Sequence, residues 1–426
     1  MVIVDTELEK RERSGKPIHV GLVGAGVMGR MIALQLLTPI TGMKLVAIAN
    51  RTVSKAERAY KEGGVQKFNM VSSKQQLQSS IEKGEFAVTD DPFLLCNVDG
   101  IDAIIEVTGT VEFGANVVLQ AIENRRHVVL VNAELDSTIG SILKQRADKA
   151  GIILTNIDGD EPGVAMTLLR YLKTLGFRPV GAGNLKGMID PYRTPDTQKE
   201  FALKYDQNPR IVTSFADGTK LSMEEAILAN ASGFKVGKRG MYGPKCAHVK
   251  EMTKLLPADQ LLNGGLVDYA LGAEPYTGAY VIVHEDNPIK QKHLSYLKMG
   301  DGPFYLFYTP YHLPHIQLPS TIARAVLFHD ATTAPLNGPS CDVITLAKRD
   351  LKAGEILDGV GGFTCYGVID NADVVKNNNL LPMGLTEGVR IKRNVSKDTA
   401  LSYDDIEIPA SVPFKLRKEQ DDLFNR

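Results

Sequence analysis

The hexapeptide GAGVMG (24–29) directly follows the apolar run IHVGLV (18–23), and that adjacency constrains the fold more than any other feature of the chain. Glycines at the end of a strand permit a tight turn, let backbone N–H groups approach an anion, and let the next helix pack against the sheet. Gly-x-Gly-x-x-Gly at a strand-to-helix junction therefore signals dinucleotide binding. Gly24, Gly26, Val27, Met28 and Gly29 form the expected pyrophosphate cradle. The competing reading is a glycine turn that packs a helix on the sheet and binds nothing.

The surroundings favour the first reading. Short apolar runs, IHVGLV (18–23), KLVAIA (44–49), FAVTD (86–90), AIIEVT (103–108), HVVLV (127–131) and IILTN (152–156), alternate with helical stretches at 28–37, 53–62, 75–83, 111–123 and 137–150. This rhythm predicts an α/β fold, a doubly wound parallel sheet covered by helices on both faces. It stops after Asp158. A helix at 164–175 and a strand-like VGAGNLKGMI (180–189) then lead into segments dense in Gly, Pro and Tyr, and a third unit opens near Cys341. In that unit AKRDLKAGEIL (347–357) and IKRNVSKDTAL (391–401) resemble each other about 44 residues apart, which suggests a pseudo-symmetric β module. The expected units are 1–160, nucleotide-binding with an N-terminal arm; 161–338, catalytic; and 339–426, a β module with a C-terminal tail.

Ligands of doubly wound sheets bind at the carboxyl ends of strands, so those ends hold the candidate site residues. After the second strand come Asn50, Arg51 and Thr52, then Ser54 and Lys55, where NAD-binding chains carry an acid; a guanidinium, a hydroxyl and an ammonium suit a ribose 2′-phosphate and favour NADP(H). The alternative for Arg51 is a solvated surface residue. Thr108 and Gly109 are placed to line the nicotinamide ribose, and Asn132, Ala133 and Glu134 to approach the ring. Glu134 equally suits the first turn of a helix, whose dipole favours an acid. In NIDGDEPG (156–163), Asp158, Asp160 and Glu161 are candidate ligands for a hard cation such as magnesium or manganese. Capping the helix that Pro162 opens is the alternative for Asp160 and Glu161.

LKGMIDPYRTPD (185–196) supplies Lys186 as a candidate proton donor to a carbonyl oxygen, with Asp190 and Arg193 beside it or merely paired on the surface. SFADGTKLSMEEAILANASGFKVGKRGMYGP (214–244) predicts a turn at Asp217 and Gly218, a helix from near Met223, and a glycine-rich loop from Gly233. Lys238 and Arg239 in that loop, with Lys235, are candidates to clamp a substrate phosphate or carboxylate, or are solvated cations.

Composition excludes other classes. A net charge of −1 and a pI near 6.7 leave no basic field for nucleic acid or an anionic membrane, so the expected partner is a small-molecule substrate. No apolar run reaches membrane-span length, and the start lacks the cationic and apolar regions of a secretory signal, which predicts a cytoplasmic protein. Four dispersed cysteines read as buried thiols, and the charged residues 5–16 as an arm or short helix able to pack on another subunit.

From SFADGTKLSMEEAILAN, KRGMYGP, DGPFYLFYTPYHLPH, AKRDLKAGEILDGVGGF, LPMGLTEG and YDDIEIP, the chain over about 15–426 resembles the homoserine-dehydrogenase-like oxidoreductases that carry a C-terminal SAF module. The resemblance implies an NADP-type fold, a catalytic and oligomerisation domain, a β-clip SAF module, and a homodimer or homotetramer. One branch is similar to 1-deoxy-D-xylulose 5-phosphate reductoisomerases of isoprenoid precursor synthesis. It implies isomerisation to an aldehyde followed by reduction by NADPH, with Lys238 and Arg239 on the phosphate and a divalent ion near Asp160. Other branches act on branched sugar acids. The chain has Asn132, Ala133 and Glu134 where homoserine dehydrogenases place an Asn-Lys pair, which argues against homoserine. A nucleotide-sensing scaffold is the reading from a different class.

Overall fold

The computed structural model describes residues 3–424. Seven strands, β1 (Ile18–Val23), β2 (Met43–Ala49), β3 (Asn69–Met70), β4 (Ala87–Thr89), β5 (Ala103–Glu106), β6 (His127–Leu130) and β7 (Leu154–Asn156), form one sheet in the order β3-β4-β2-β1-β5-β6-β7. Every pairing in it is parallel. The chain leaves β1 to one side for β2 and later returns to its other side as β5, so the ends of β1 and β5 flank the switch-point crevice. The expected doubly wound sheet is present. Its central strands are apolar on both faces, with Val20, Leu22, Ile48, Ile104 and Val129 fully buried, because helices cover both sides.

Within residues 3–160, two elements were not expected from the sequence: the two-residue edge strand β3, and the helix Pro92–Asn97, which Asp91 caps by accepting from the Phe93 N–H. The helix expected over 137–150 instead spans Ala133–Ala150 and is broken at Ile139, where φ is −139°.

The second sheet contains β8 (Arg178–Lys186), β9 (Leu266–Val267), β10 (Ala270–Leu271), β11 (Ala279–His284) and β12 (Phe304–Thr309). β11 lies antiparallel between β8 and β12, while β9 and β10 pair in parallel with successive halves of β8. The helices Glu161–Thr174 and Thr219–Ser232 share one apolar core with Ala182, Val281 and Val283. On the other face Cys246, Val249, Met252 and Leu261 pack against Val180, Tyr280 and Ile282.

In the third unit β13 (Cys341–Ala347) pairs antiparallel with β14 (Cys365–Asn371). The two similar segments face each other: Leu351 and Val395, equivalent positions in the repeat, exchange backbone hydrogen bonds of 2.8 and 3.0 Å. The bridges Leu346 to Ala400 and Ile356 to Arg390 are images of one another under the same equivalence. Equivalent residues pairing with each other define a pseudo-twofold.

Two later helices return to the first sheet. Leu318, Ile322 and Ala323 of the helix Pro314–Phe328 join the core around β1, and Leu416 of the helix Val412–Phe424 joins the core under the helix Ala133–Ala150. The sequence assigned the first of these to the second unit and the other to a tail. The N-terminal arm is the helix Asp5–Arg13, whose buried Leu8 packs on its own chain; a Cβ at Gly42 would lie 2.1 Å from the Leu8 carbonyl oxygen. All four cysteines are buried and unpaired. Among the described residues no helix is long and apolar enough to cross a membrane.

Candidate active site

The glycine loop has the form the motif predicts. Gly24 takes φ +113°, a conformation strained for any residue with a Cβ, and turns the chain out of β1. A Cβ at Gly29 would lie 2.2 Å from the Gly24 carbonyl oxygen, so that position must be bare for the helix Val27–Leu37 to start where it does. Gly26 is exposed and an added Cβ would meet nothing within 4 Å; the free space lies at a helix N-terminus, with Val27 and Met28 half-buried in the first turn.

The other strand-end residues divide into those facing outward and those braced inward. Arg51 is exposed beyond β2, as is Gly109, at φ +69°, beyond β5. Asn50 braces the loop instead: its Oδ1 accepts from the Ala25 N–H at 2.9 Å and its Nδ2 donates to the Thr52 carbonyl at 2.8 Å. Asn132 is fully buried. Its Oδ1 caps the helix Ala133–Ala150 through the Leu135 N–H, and its Nδ2 donates to Glu106 at 2.7 Å. Thr108 also turns inward, donating its hydroxyl and its N–H to Glu106. Burial raises the Glu106 carboxyl, and these donors oppose the rise. Asn132 and Thr108 thus build the floor of the crevice and are not free to bind through these groups.

A cluster of charges forms where three elements converge. Gly218 and Gly233, both left-handed, bound the helix Thr219–Ser232, which is buried nearly all round and carries Lys220 and Glu224 one turn apart. Asp160 and Glu161 open the helix Glu161–Thr174, and Lys186 ends β8. The Lys186 ammonium donates to both oxygens of Glu161, at 2.8 and 2.9 Å, and to Glu224 at 3.1 Å. Ligand oxygens of Asp160, Glu161 and Glu224 all lie within 4.8 Å of one another. Glu134, in the first turn of its helix, lies 3.7 Å from the Lys220 ammonium. His312, whose Nδ1 is 2.9 Å from the Thr277 hydroxyl, interacts electrostatically with Asp160, Glu224 and Lys186.

These surroundings separate the proton affinities. Burial and the neighbouring Glu161 charge push the Glu224 carboxyl up to about 7, against the pull of Lys186. Asp160 is raised by burial and then by Glu224. Burial would lower Lys186, but the charges of Glu224 and Glu161 outweigh it and hold the ammonium well above its ordinary value. Lys220 is raised in the same way, with Glu134 the largest opposing charge. Burial lowers His312.

Lys186, Asp160, Glu161 and Glu134 of the expected set are therefore brought into one neighbourhood. Asp158 is not. Its carboxylate is consumed by Arg324 at 3.1 Å, Ser320 at 3.1 Å and Thr332, so it holds the helix Pro314–Phe328 in place and is withdrawn as a cation ligand. Lys238 and Arg239 do not join the cluster either: Lys238 lies 5.2 Å from the Tyr242 ring centre, and Arg239 donates to Asp370 of β14 at 2.7 Å. Asp190 and Arg193 pair with each other at 2.9 Å, which is the surface reading. The sequence reading passed over Glu224, Lys220 and His312 as site residues. The available signal was a charged SMEEA inside a stretch otherwise fit for a core helix.

The chain has the following likenesses. Residues 159–318 match the family model described as Oxidoreductase DRL, catalytic domain, and residues 7–89 that of Shikimate / quinate 5-dehydrogenase. A homoserine dehydrogenase from Methylobacillus glycogenes is 29% identical over 120 residues, which are 28% of this chain and 26% of that protein, so the chain spans about a quarter of that relative's length. Among solved structures, a probable dehydrogenase from Thermotoga maritima aligns with a TM-score of 0.43 at 15% identity, over 75% of this chain and 91% of that one. A myo-inositol dehydrogenase from Lactobacillus casei, in complex with NAD(H) and myo-inositol, aligns at 0.38 and 14%, over 70% and 75%. The first region contains Asp160, Glu161, Lys186, Lys220, Glu224 and His312. Residues 159–318 are thus similar to an oxidoreductase catalytic domain, and they follow a Rossmann-type parallel sheet.

Proposed function

We propose that the protein is an NADPH-dependent oxidoreductase that reduces a small polyhydroxylated, phosphorylated carbonyl substrate, in its sharpest form a 1-deoxy-D-xylulose 5-phosphate reductoisomerase. The observation that carries the reading is the Lys186 ammonium held between Glu161 and Glu224 within the matched oxidoreductase region. Hydride transfer to a carbonyl builds negative charge on oxygen, and a fixed ammonium stabilises that charge where it develops. Lys186 holds its proton too tightly to give it up readily, whereas Glu224, pushed up to about 7, exchanges one near neutrality. Lys186 is then the electrostatic and hydrogen-bond donor, and Glu224 the proton donor in reduction. Gly24, Gly26 and Gly29 admit the pyrophosphate, and Arg51 with Lys55 supplies the preference for the 2′-phosphate.

The oxygen donors of Asp160, Glu161 and Glu224 suit magnesium or manganese, and these three residues would hold it. Such an ion supplies charge that polarises vicinal oxygens. Lys186 competes for two of the same carboxylates, so ion and ammonium share the site or exchange within it.

The test is NADPH oxidation with 1-deoxy-D-xylulose 5-phosphate, with and without magnesium or manganese, beside NADH and homoserine controls. Turnover with the sugar phosphate and NADPH supports the reductoisomerase reading. Turnover only of homoserine or of branched sugar acids moves the chain to those alternatives. Tight NADPH binding with no turnover of any of them favours the scaffold reading.

A further inference from the structure

The helix Ala133–Ala150 is broken at Ile139, and the break is filled from the far end of the chain. In an unbroken helix the Thr138 carbonyl would accept from the Ile142 N–H. Here both bond to one side chain: the Ile142 N–H donates to Gln420 Oε1 at 3.0 Å, and Gln420 Nε2 donates to the Thr138 carbonyl at 3.4 Å. The carboxamide is spliced into the helix at the point where its own ladder is interrupted. Gln420 is buried, so each bond satisfies a group that water does not reach.

Three further contacts fix the short piece N-terminal to the break. Arg417, one turn before Gln420, donates to the same Thr138 carbonyl at 3.3 Å and grips Asp342 of β13 with two bonds of 2.7 and 2.8 Å. The Thr138 hydroxyl donates to the Glu134 carbonyl at 2.6 Å. A Cβ at Gly384 would lie 1.9 Å from that hydroxyl and 3.1 Å from the Glu134 carbonyl oxygen, so the third unit backs directly onto the peptide that presents Glu134. Glu134 in turn faces Lys220 at 3.7 Å.

We infer that Gln420 is a positioning residue for the candidate active site: by completing the broken helix it holds the segment bearing Glu134 against Lys220, and it ties that placement to the third unit through the helix Val412–Phe424. The inference rests on the site described above but not on the identity of the substrate, so it is read first without one. The full chain, Gln420→Leu, Gln420→Glu, Glu134→Gln and the Gln420→Leu/Glu134→Gln double variant are compared by amide exchange at Ile142 and by the rate at which a small acylating reagent modifies Lys220, mapped by peptide. Glu134 is the largest charge holding the Lys220 ammonium protonated, so its displacement exposes more free amine.

In Gln420→Leu the Ile142 amide exchanges about ten-fold faster, and Lys220 is acylated at least about three-fold faster, as in Glu134→Gln. The double variant adds nothing further, because both changes act through one contact. Gln420→Glu keeps the acceptor for Ile142 and loses the donor to Thr138, so it falls between the two and supplies the comparison if Gln420→Leu does not fold. Fast Ile142 exchange with Lys220 reactivity at the level of the unaltered protein would overturn the inference, as would effects that multiply in the double variant. If a substrate is found, turnover follows the same non-additive pattern. If none is found, the proposed reaction fails while the Lys220 result stands by itself.

Discussion

Replacing Gly26 or Gly29 by alanine changes the same small motif, yet the structure assigns the two substitutions opposite consequences. At Gly26 the backbone, φ −70° and ψ −165°, is open to any residue, and the added methyl meets nothing within 4 Å. Loss of chain entropy in the unfolded state favours the alanine by about 0.4–1 kcal/mol. Alanine is a poorer residue than glycine where a helix begins, which offsets a similar amount. Stability in a urea titration therefore stays within about 1 kcal/mol. The methyl does, however, occupy the space into which a pyrophosphate must come to reach the N–H groups of the first turn, so NADPH affinity falls about a hundred-fold or more, some 2.7 kcal/mol. Gly29→Ala drives its methyl to 2.2 Å from the Gly24 carbonyl oxygen, a backbone atom that cannot turn aside. That substitution lowers stability by about 1–3 kcal/mol in the same titration. Fluorescence titration of NADPH beside urea unfolding separates the cases. A stable Gly26→Ala protein that binds NADPH with unchanged affinity refutes the assignment of this loop to the cofactor.

Other expectations follow from the same geometry. Arg417→Met leaves the Asp342 carboxylate buried without its cation and lowers stability by about 3–5 kcal/mol, measured by urea unfolding. By contrast, Asp206→Asn removes pairs with Arg30 and Arg58 in which Asp206 is 74% exposed, and the same titration moves by less than about 1 kcal/mol. With Glu224 as the proposed proton donor and no divalent ion added, the rate of carbonyl reduction falls as pH rises through about 7, the reverse oxidation rises over the same interval, and the break disappears in Glu224→Gln. Arg51→Glu opposes a 2′-phosphate and shifts the NADPH-to-NADH affinity ratio at least about ten-fold toward NADH, read from paired titrations.

The parallel sheet was legible because its information is local. Each strand is a short apolar run, each connection a helical stretch, and the glycine motif marks the switch point. What was missed is short or non-local. β3 has two residues and the helix Pro92–Asn97 has six, too few to show a period. The sequence locates the end of the helix Thr219–Ser232 at Gly233 but starts it near Met223, about one turn late, and does not reveal it as the centre of the site. Buried nearly all round, it shows no amphipathic face on which Lys220 and Glu224 would stand out. Proximity in sequence also misled. Asp158 sits two residues from Asp160, yet it is turned to Arg324, which lies more than a hundred residues away. Lys238 and Arg239 sit in a loop that looks built to grip an anion, but Arg239 is taken by Asp370 of the third unit. The broken helix Ala133–Ala150 could not be foreseen from its own residues, because the side chain that completes it is Gln420.

The central claim is that Lys186 and Glu224 together carry the chemistry of a reductase. It is tested most directly by NADPH oxidation with a substrate that the unaltered protein turns over, comparing that protein with Lys186→Met and Glu224→Gln, each first shown to be folded and to bind NADPH. The account predicts that both variants retain cofactor affinity and lose turnover by at least about a hundred-fold, the scale on which electrostatic and acid–base groups act. Turnover in either variant within a few-fold of the unaltered protein, with NADPH bound, would contradict it.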